Sequence, residues 1–459
     1  MNIKFGSDKK NYAKLLSPTR IIAISFIFVI VMGTLLLSLP IASKQGRVPL
    51  LNACFQATSA TCVTGLSLYD VYSQFTVFGQ VIYLVLIQIG GLGLATLATG
   101  FTLLLRRKIA FRNMMLVGES SGLEGFNMKL LMKIIFGYTF FTELVGAMFL
   151  SLRFVPLYGL KGLWSSVFVS VSAFCNAGFD ILGFVPGNGS ITPFYDDFLV
   201  CLTLDALVFF GGIGFVVIHD IYENKIKMRF RQKKFVKLDF HSRVCITFSL
   251  FFMIAGALCF FIFEYDNTLD GMSLPVKLNV SLFQSVNMRT AGFASIVCGE
   301  EAEITKLLSC FFMLIGGCPG STAGGIKVTT IIVLVATVVS AFKGREDTVF
   351  MEHRIGQKEV YKAMSILAVA FVVIILDVAV IFEVDKSGSL IDVIFETVSA
   401  FGTVGVSSGV TANLRTFGKV VVIITMFIGR VGPASLGIAL MSSKKRKEPI
   451  LPEGKLIIG

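Results

Sequence analysis

The chain has 459 residues, of which 54% are apolar and 15% charged. Soluble domains carry about 25% charge, so the three or so soluble domains that length alone suggests are excluded in favour of a polytopic membrane protein. Its 41 basic and 29 acidic residues leave a net charge of +12. The two signs alternate in blocks, however, which reads as a positive-inside topology and not as a nucleic-acid-binding surface.

In chain order, residues 1–20 are polar and basic, with Lys9, Lys10, Lys14 and Arg20. Ile21–Leu39 then run apolar for 19 residues up to Pro40, which suits a span, and no small-x-small cleavage site follows. The rest repeats one plan: an apolar helix, a short polar loop, a second apolar helix and a basic connector. First helices are expected near Ile21–Leu39, Leu130–Leu152, Val244–Phe263 and Ala363–Phe382. Second helices are expected near Val77–Leu105, Phe198–His219, Leu307–Phe342 (interrupted) and Val420–Met441.

Basic residues gather at Arg106–Arg112, Lys225–Lys237, Lys343–Lys362 and Lys444–Lys447, and acidic ones at Asp196-Asp197, Glu264–Asp270 and Glu300–Glu303. Eight crossings therefore place both termini in the cytoplasm. The units read as an N-terminus (1–20), repeat one (21–112), repeat two (113–224), a connector (225–243), repeat three (244–345), repeat four (346–442) and a tail (443–459). The fold class expected is all-α: four tandem helix–pore loop–helix repeats around a pseudo-fourfold pore.

The repetition is carried by short loops anchored on glycine: SATCVTGL at Gly65, SAFCNAGF at Gly178, VNMRTAGF at Gly292 and SAFGTVGV at Gly405. The anchors lie 113, 114 and 113 residues apart, and such self-similarity has to be read before anything else. Phe55, Phe168 and Phe395 stand ten residues before their anchors, and Ser-Ala stands at minus six and minus five. The third copy drifts, with Phe283 at minus nine and no Ser-Ala. A second motif follows each anchor: Ile89–Gly93, Phe210–Gly214, Ile315–Gly320 and Ile428–Gly432. Segments ahead of the anchors (Leu51–Ala60, Lys161–Phe174, Pro275–Met288, Ser389–Phe401) read as half-helices that dip in and turn at the glycine.

Irregular backbone at membrane depth survives only where it lines water or packs in protein. Four equivalent loops can share one water-filled axis, with each glycine free to adopt left-handed φ. Each half-helix would aim its partly negative C-terminus at that axis. Carbonyl rings without fixed carboxylates suit a dehydrating monovalent cation. The filter residues would be Val63, Thr64 and Gly65; Asn176, Ala177 and Gly178; Thr290, Ala291 and Gly292; and Thr403, Val404 and Gly405.

With these loops, Asn287–Phe293, the run Gly316–Lys327 (GGCPGSTAGGIK) and Gly429–Pro433 (GRVGP), the chain resembles the Trk/Ktr/HKT potassium-transporter superfamily over essentially its whole length. The short N-terminus and the tail Pro452–Gly459 are similar to the Ktr-type membrane subunit. The resemblance implies K+ as the transported ion, glycine at all four anchors going with potassium selectivity, and a homodimer in the bacterial cytoplasmic membrane. It also implies a cytosolic RCK-type ring that binds a nucleotide (ATP/ADP or NAD). No cofactor is expected in this chain, nor a nucleic-acid partner. Only Thr403-Val404-Gly405 has the full potassium-channel TVG pattern, so selectivity is expected to be looser than with four. Alternatives are Na+-dependent K+ symport and a Na+-permeable pore.

Gly316, Gly317, Pro319, Gly320, Ser321, Thr322, Gly324, Gly325 and Lys327 break the third repeat's second helix, since Pro removes a donor and Gly loosens the backbone. By resemblance this run obstructs the pore beneath the filter. Arg430 replaces the second glycine of the recurring motif. Inside a membrane it has to face protein or water, and it is expected on the loop's carbonyls, where it would repel a passing cation. Intramembrane Glu143, Asp205 and Asp377 are candidates for ion coupling, and more simply for pairing with pore-loop backbone or Arg289. His219-Asp220 reads as a solvated helix end and the nine cysteines as buried free thiols. A membrane enzyme is disfavoured, because no nucleophile–base set, metal spacing or phosphate loop is present; GSTAGGIK separates its Gly and Lys by Ile326.

Overall fold

The computed structural model describes residues 18–93, 96, 128–186, 190–227, 237–386 and 388–432. The basic clusters before residue 18, at 106–112 and at 444–447, residues 228–236 of the connector, Pro433 and the tail lie outside the described residues.

Long, predominantly apolar runs make the first helices. These are Pro18–Leu37, Met128–Tyr158, Phe240–Glu264 and Gln357–Asp385. Among the described residues these four are long and apolar enough to cross a membrane. Their outer faces carry exposed Phe140, Phe141, Leu144, Phe371 and Ile375. In Gln357–Asp385 only 11% of the most apolar window is buried within the chain. An apolar surface of that extent belongs against lipid or another subunit, so the chain is a membrane protein.

Half-helices follow at Leu50–Cys62, Leu160–Phe174, Leu274–Asn287 and Leu390–Gly402, within two residues of the expected boundaries. They are the inner layer. Phe55, Phe168, Phe283 and Phe395 are fully buried, and so are polar Thr58, Ser59, Ser170, Ser172 and Thr397. The molecule is therefore apolar outside and polar at its centre, which lipid as solvent demands.

Of the second helices, Val77–Leu92 and Thr416–Val431 both reach a glycine in extended, positive-φ backbone, Gly93 (φ 79°) and Gly432 (φ 88°). The expected continuations to Leu105 and Met441 lie, residue 96 apart, outside the described residues. Phe198–His219 is not one continuous helix. It breaks between Gly212 and Phe215 at Gly214 (φ 94°), and the two pieces meet at 88°. The third is interrupted as expected, with Glu303–Leu314 and Val328–Phe342 flanking the loop. The last glycine of the recurring motif thus ends a helix in three copies, and the third copy opens a loop there.

An all-α description also omits one hairpin. Val349–Phe350 pairs antiparallel with His353–Arg354. Phe350 packs on Phe248, with ring centroids 5.7 Å apart, and His353 stacks on Phe240 at 4.2 Å.

Candidate functional site

Each half-helix runs into its anchor through the same backbone alternation. Val63, Asn176, Thr290 and Thr403 have φ of 56°, 58°, 74° and 51°, and anchors Gly65, Gly178, Gly292 and Gly405 have 100°, 68°, 84° and 93°. The residue between them is not left-handed, so handedness alternates and successive carbonyls can turn to one side. A β-branched residue at positive φ is rare and strained, and recurs here because the surroundings hold it. The Ser59, Ser172 and Ser399 carbonyls each accept the N–H five residues on at 2.8 Å. Their hydroxyls accept from Gly65 N (3.2 Å), Phe179 N (2.9 Å) and Gly405 N (3.1 Å).

The third loop does the same with one residue fewer. Asn287 takes the serine's place, its carbonyl accepting from Ala291 N at 3.0 Å and its Oδ1 from Phe293 N at 3.1 Å. Phe283 precedes Asn287 by four, as the other phenylalanines precede their serines. The apparent drift of this copy is therefore a one-residue shortening of the loop.

The four anchors close on one another. A Cβ added to Gly65 would stand 2.8 Å from the Ala177 carbonyl oxygen. On Gly178 it would meet that of Ala291, on Gly292 that of Val404, and on Gly405 that of Thr64, all under 3.0 Å. The contacts run from the first loop to the fourth and back to the first, so the sequence-predicted filter residues form one ring. Only hydrogen-sized side chains fit there.

The first glycine of the second motif has a separate task. A Cβ on Gly90, Gly211 or Gly429 would drive into the carbonyl of Thr61, Phe174 or Phe401, each four residues before its anchor. These glycines let the second helix press on the half-helix's C-terminal turn. In the third copy, Gly316 faces the Gly324 carbonyl instead, and the loop fills that space.

The loop is pinned at its root, where Gly316 N donates to Ile326 O at 2.8 Å and Val328 N to Gly317 O at 3.2 Å. Its far end docks on the broken second helix. Cys318 N reaches Gly212 O (2.9 Å), Thr322 N reaches Gly211 O (3.2 Å), and Phe215 N reaches Gly320 O (2.9 Å). Pro319 lies against Gly214, Ser321 beside Gly317, and Gly324 and Gly325 against Thr403 and Gly402. The Thr322 hydroxyl contacts Phe174 O (3.0 Å) and Asn176 Oδ1 (3.1 Å), at the turn that follows the second half-helix. Lys327 Nζ donates to the Ala323 (2.6 Å) and Gly324 (3.3 Å) carbonyls.

Arg430 donates to the Thr322 carbonyl and to the Gly90 and Gly91 carbonyls. It ties the loop to the first repeat's second helix, as its sequence register suggests, although from a helix end and not mid-helix. Loop and ring are thus one contiguous assembly.

Arg289 pairs with none of the acidic candidates; it donates to the Ser249 carbonyl (2.8 Å) and hydroxyl (3.4 Å). Glu143 accepts from Gln88 Nε2 at 3.0 Å and Asp377 from the Thr425 hydroxyl. Both Asp205 oxygens are buried without a hydrogen-bond partner among the described residues. His219 and Asp220 are buried, not solvated: Asp220 accepts from Asn224 and from Asp239 N at 3.0 Å, so it fastens the connector's two ends. All nine cysteines carry free thiols, seven buried and Cys54 and Cys259 half-buried.

One titrating group at the rim of the third repeat yields a prediction. Glu301, in the loop before the Glu303 helix, is buried with Oε1 on Gln284 Nε2 (2.9 Å), while its Oε2 and Gln284 Oε1 have no partner among the described residues. Burial pushes its carboxyl up to about 8, and the Glu264 carboxylate adds to this against Gln284, Cys298 and Lys306. The folded chain keeps a proton that the unfolded one releases near 4.5. Stability from this group is therefore present at low pH and lost as pH rises from about 4.5 to about 8. Glu301→Gln carries a permanent N–H donor in place of the proton. Its unfolding midpoint is expected to fall less than the wild type's between about pH 6 and about pH 8.5, and equal falls would remove the assignment.

A buried ring of backbone turns inside an apolar helical shell defines a membrane protein built for ion passage. The sequence matches the family described as TrkH, cation transport protein, over residues 4–447, and the chain belongs to that family. It is similar to the Ktr system potassium uptake protein B of Bacillus subtilis, 36% identical over 454 residues that cover 96% of this chain and 97% of that one. It is also similar to the potassium/sodium uptake protein NtpJ of Enterococcus hirae, 35% identical with 98% and 99% covered. Among solved structures, the potassium transporter TrkH from Vibrio parahaemolyticus superposes with a TM-score of 0.72, at 17% identity, over 95% of this chain and 87% of that one.

Proposed function

We propose that this chain is the potassium-conducting subunit of a Ktr-type uptake system in the bacterial cytoplasmic membrane. Eight crossings carry the four loops, with both termini cytoplasmic, and the ring formed by the loops is the selectivity filter. The observation that carries this reading is the cyclic closure of Gly65, Gly178, Gly292 and Gly405. A ring of carbonyls at fixed radius exchanges a hydration shell for protein oxygens and discriminates ions by size and ligand number. The loop from Gly316 to Lys327 is the gate, and the Arg430 guanidinium places a positive charge beneath the ring. The names of both relatives favour potassium, and NtpJ's adds sodium, so sodium-assisted or sodium-permeable transport is the second reading. Rubidium uptake into proteoliposomes, measured with and without sodium, tests both. Absence of rubidium uptake by folded protein would sink the first, and flux independent of sodium would sink the second.

The chain works as a homodimer on a cytosolic nucleotide-binding ring. The name "Ktr system" implies a partner for its relatives, and the connector between Asp220 and Arg243 is too short to form a regulatory domain. Mild purification from the native membrane is expected to retain a soluble nucleotide-binding protein, and nucleotide is expected to change rubidium flux only with it present. Nucleotide-regulated flux by the chain alone would contradict this.

A further inference from the structure

We infer that Glu396 is a positioning residue that fastens the outward strand of the fourth filter loop and so sets how tightly the ring holds its ion. The inference rests on the filter reading of the four loops.

In each half-helix one residue follows the buried phenylalanine: Gln56, Val169, Gln284 and Glu396. Glu396 is buried, and a carboxyl group at that depth needs donors. It takes them from the strand that leaves its own filter turn. The Ser407 hydroxyl lies 2.9 Å from Oε1 and 3.0 Å from Oε2, and Ser408 N donates to Oε2 at 3.2 Å. The Thr411 hydroxyl donates to Oε1. All three partners come after Gly405 in the chain, so this one side chain ties the half-helix to the strand beyond the anchor.

The first loop is fastened in the same way. The buried Gln56 amide faces the Ser67 hydroxyl, with its two polar atoms 2.9 Å and 3.1 Å away. Ser67 stands where Ser407 stands, two residues past the anchor. With the amide turned so that its oxygen meets donors, that oxygen also accepts from Leu68 N at 3.1 Å, the counterpart of Ser408 N. The other two loops use different means. Val169 offers no polar atom, and Asp180, two residues past Gly178, accepts from Leu182 N at 3.0 Å within its own turn. Gln284 donates to Cys298 Sγ at 3.2 Å and to Glu301. The third outward strand is held from the second repeat: Ile191 N (3.1 Å) and the Thr192 hydroxyl (3.3 Å) donate to Ala294 O, and Ala294 N donates to Ser190 Oγ (3.1 Å).

The two loops fastened by their own half-helices are neighbours in the ring, since a Cβ on Gly405 would meet the Thr64 carbonyl oxygen and Gly65 Cα. A carbonyl ring discriminates between ions by cavity size and by the number of its ligands. A strand released just past Gly405 lets the fourth loop's carbonyls drift from that radius. Hydrogen bonding does the positioning and charge is not required, because the first repeat achieves it with glutamine. Glu396 acts on the ion only through Ser407 and Ser408.

The test is rubidium uptake by proteoliposomes holding the full-length chain, with thermal stability measured on the same protein. Glu396→Val puts the second repeat's residue into the fourth. It is expected to raise the KM for rubidium and to lower the preference over sodium, each roughly tenfold, the factor that one hydrogen bond is worth. Maximal flux per folded molecule is expected to change far less. Ser407→Ala removes one fastening hydroxyl and is expected to shift both quantities the same way by a smaller factor, and the double change to give less than the two effects combined. Glu396→Gln, the first repeat's residue, is expected to bring both close to the wild type, because its amide oxygen can serve Ser408 N while the two hydroxyls turn to suit the amide. The inference is overturned if Glu396→Val loses thermal stability while KM and preference hold. It is also overturned if Glu396→Gln fails as badly as Glu396→Val, which would make the charge the agent. Where Glu396→Val does not fold, Ser407→Ala decides, and unchanged KM and preference in it overturn the inference. Gly65→Ser, argued below, separates this failure from that of the filter reading. Unchanged discrimination in Gly65→Ser removes the filter, whereas lost discrimination there, with Glu396→Val and Ser407→Ala unchanged, removes only the fastening.

Discussion

Gly65→Ser is expected to reduce the preference for rubidium over sodium roughly tenfold, a free-energy difference of about 1.4 kcal/mol. Gly65 has φ of 100°, and a Cβ there would stand 2.8 Å from the Ala177 carbonyl oxygen and 3.1 Å from the Gly405 Cα. Serine therefore brings backbone strain of about 1–3 kcal/mol and forces the neighbouring carbonyl outward. Its hydroxyl adds one ligand on a shorter radius. A displaced carbonyl weakens the cage for the larger ion, and the new ligand favours the smaller. The same change at Gly405 meets the Thr64 carbonyl more closely and is expected to abolish flux outright. Competition of sodium against rubidium uptake reads the difference. A Gly65→Ser chain that folds, transports and discriminates as the wild type does would remove the ring from the filter.

The ring was legible because repetition made it so. A single glycine says little, but four anchors at nearly equal spacing located half-helices that the structure places within two residues. The left-handed turns at Val63 and Thr403 left no trace in residue type, because valine and threonine normally avoid that conformation. The shortening of the third loop was visible only as a drift of Phe283, and it needed the Asn287 hydrogen bonds to be read correctly. The bend at Gly214 had a signal in the FGGIG motif. That motif looks the same in a helix that packs closely and in one that breaks, and the docking of Cys318, Thr322 and Gly320 on the broken end decides it. Burial of Asp220 was likewise hidden, since its partner Asp239 lies across a charged connector. Arg430 succeeded for a different reason. A cation in an apolar helix has to find carbonyls, and its register with Gly91, Gly212 and Gly317 left few to choose from.

Removing Gly320–Gly324 is expected to raise rubidium flux several-fold and to lessen its dependence on the regulatory partner. The deletion takes away Thr322, whose N–H, hydroxyl and carbonyl bind Gly211, the second filter turn and Arg430. It also removes the Gly320 carbonyl from Phe215. Each neutral bond contributes about 0.5–1.5 kcal/mol net and the Arg430 bonds roughly twice that. The loop is thus held by a few kcal/mol, within reach of a partner's binding energy and enough to keep it closed otherwise. Arg430→Ala is expected to act in the same direction but less strongly, because the loop keeps its root and Lys327 stays on the Ala323 and Gly324 carbonyls. It is also expected to lower thermal stability, since the Gly90 and Thr322 carbonyls lose a donor. The double change is expected to give less than the sum, both acting on one obstruction. Selectivity stays as in the wild type throughout, because none of these residues belongs to the ring. A deletion that still folds and pairs but carries no rubidium would make the loop a scaffold for the filter and place the gate elsewhere in the chain.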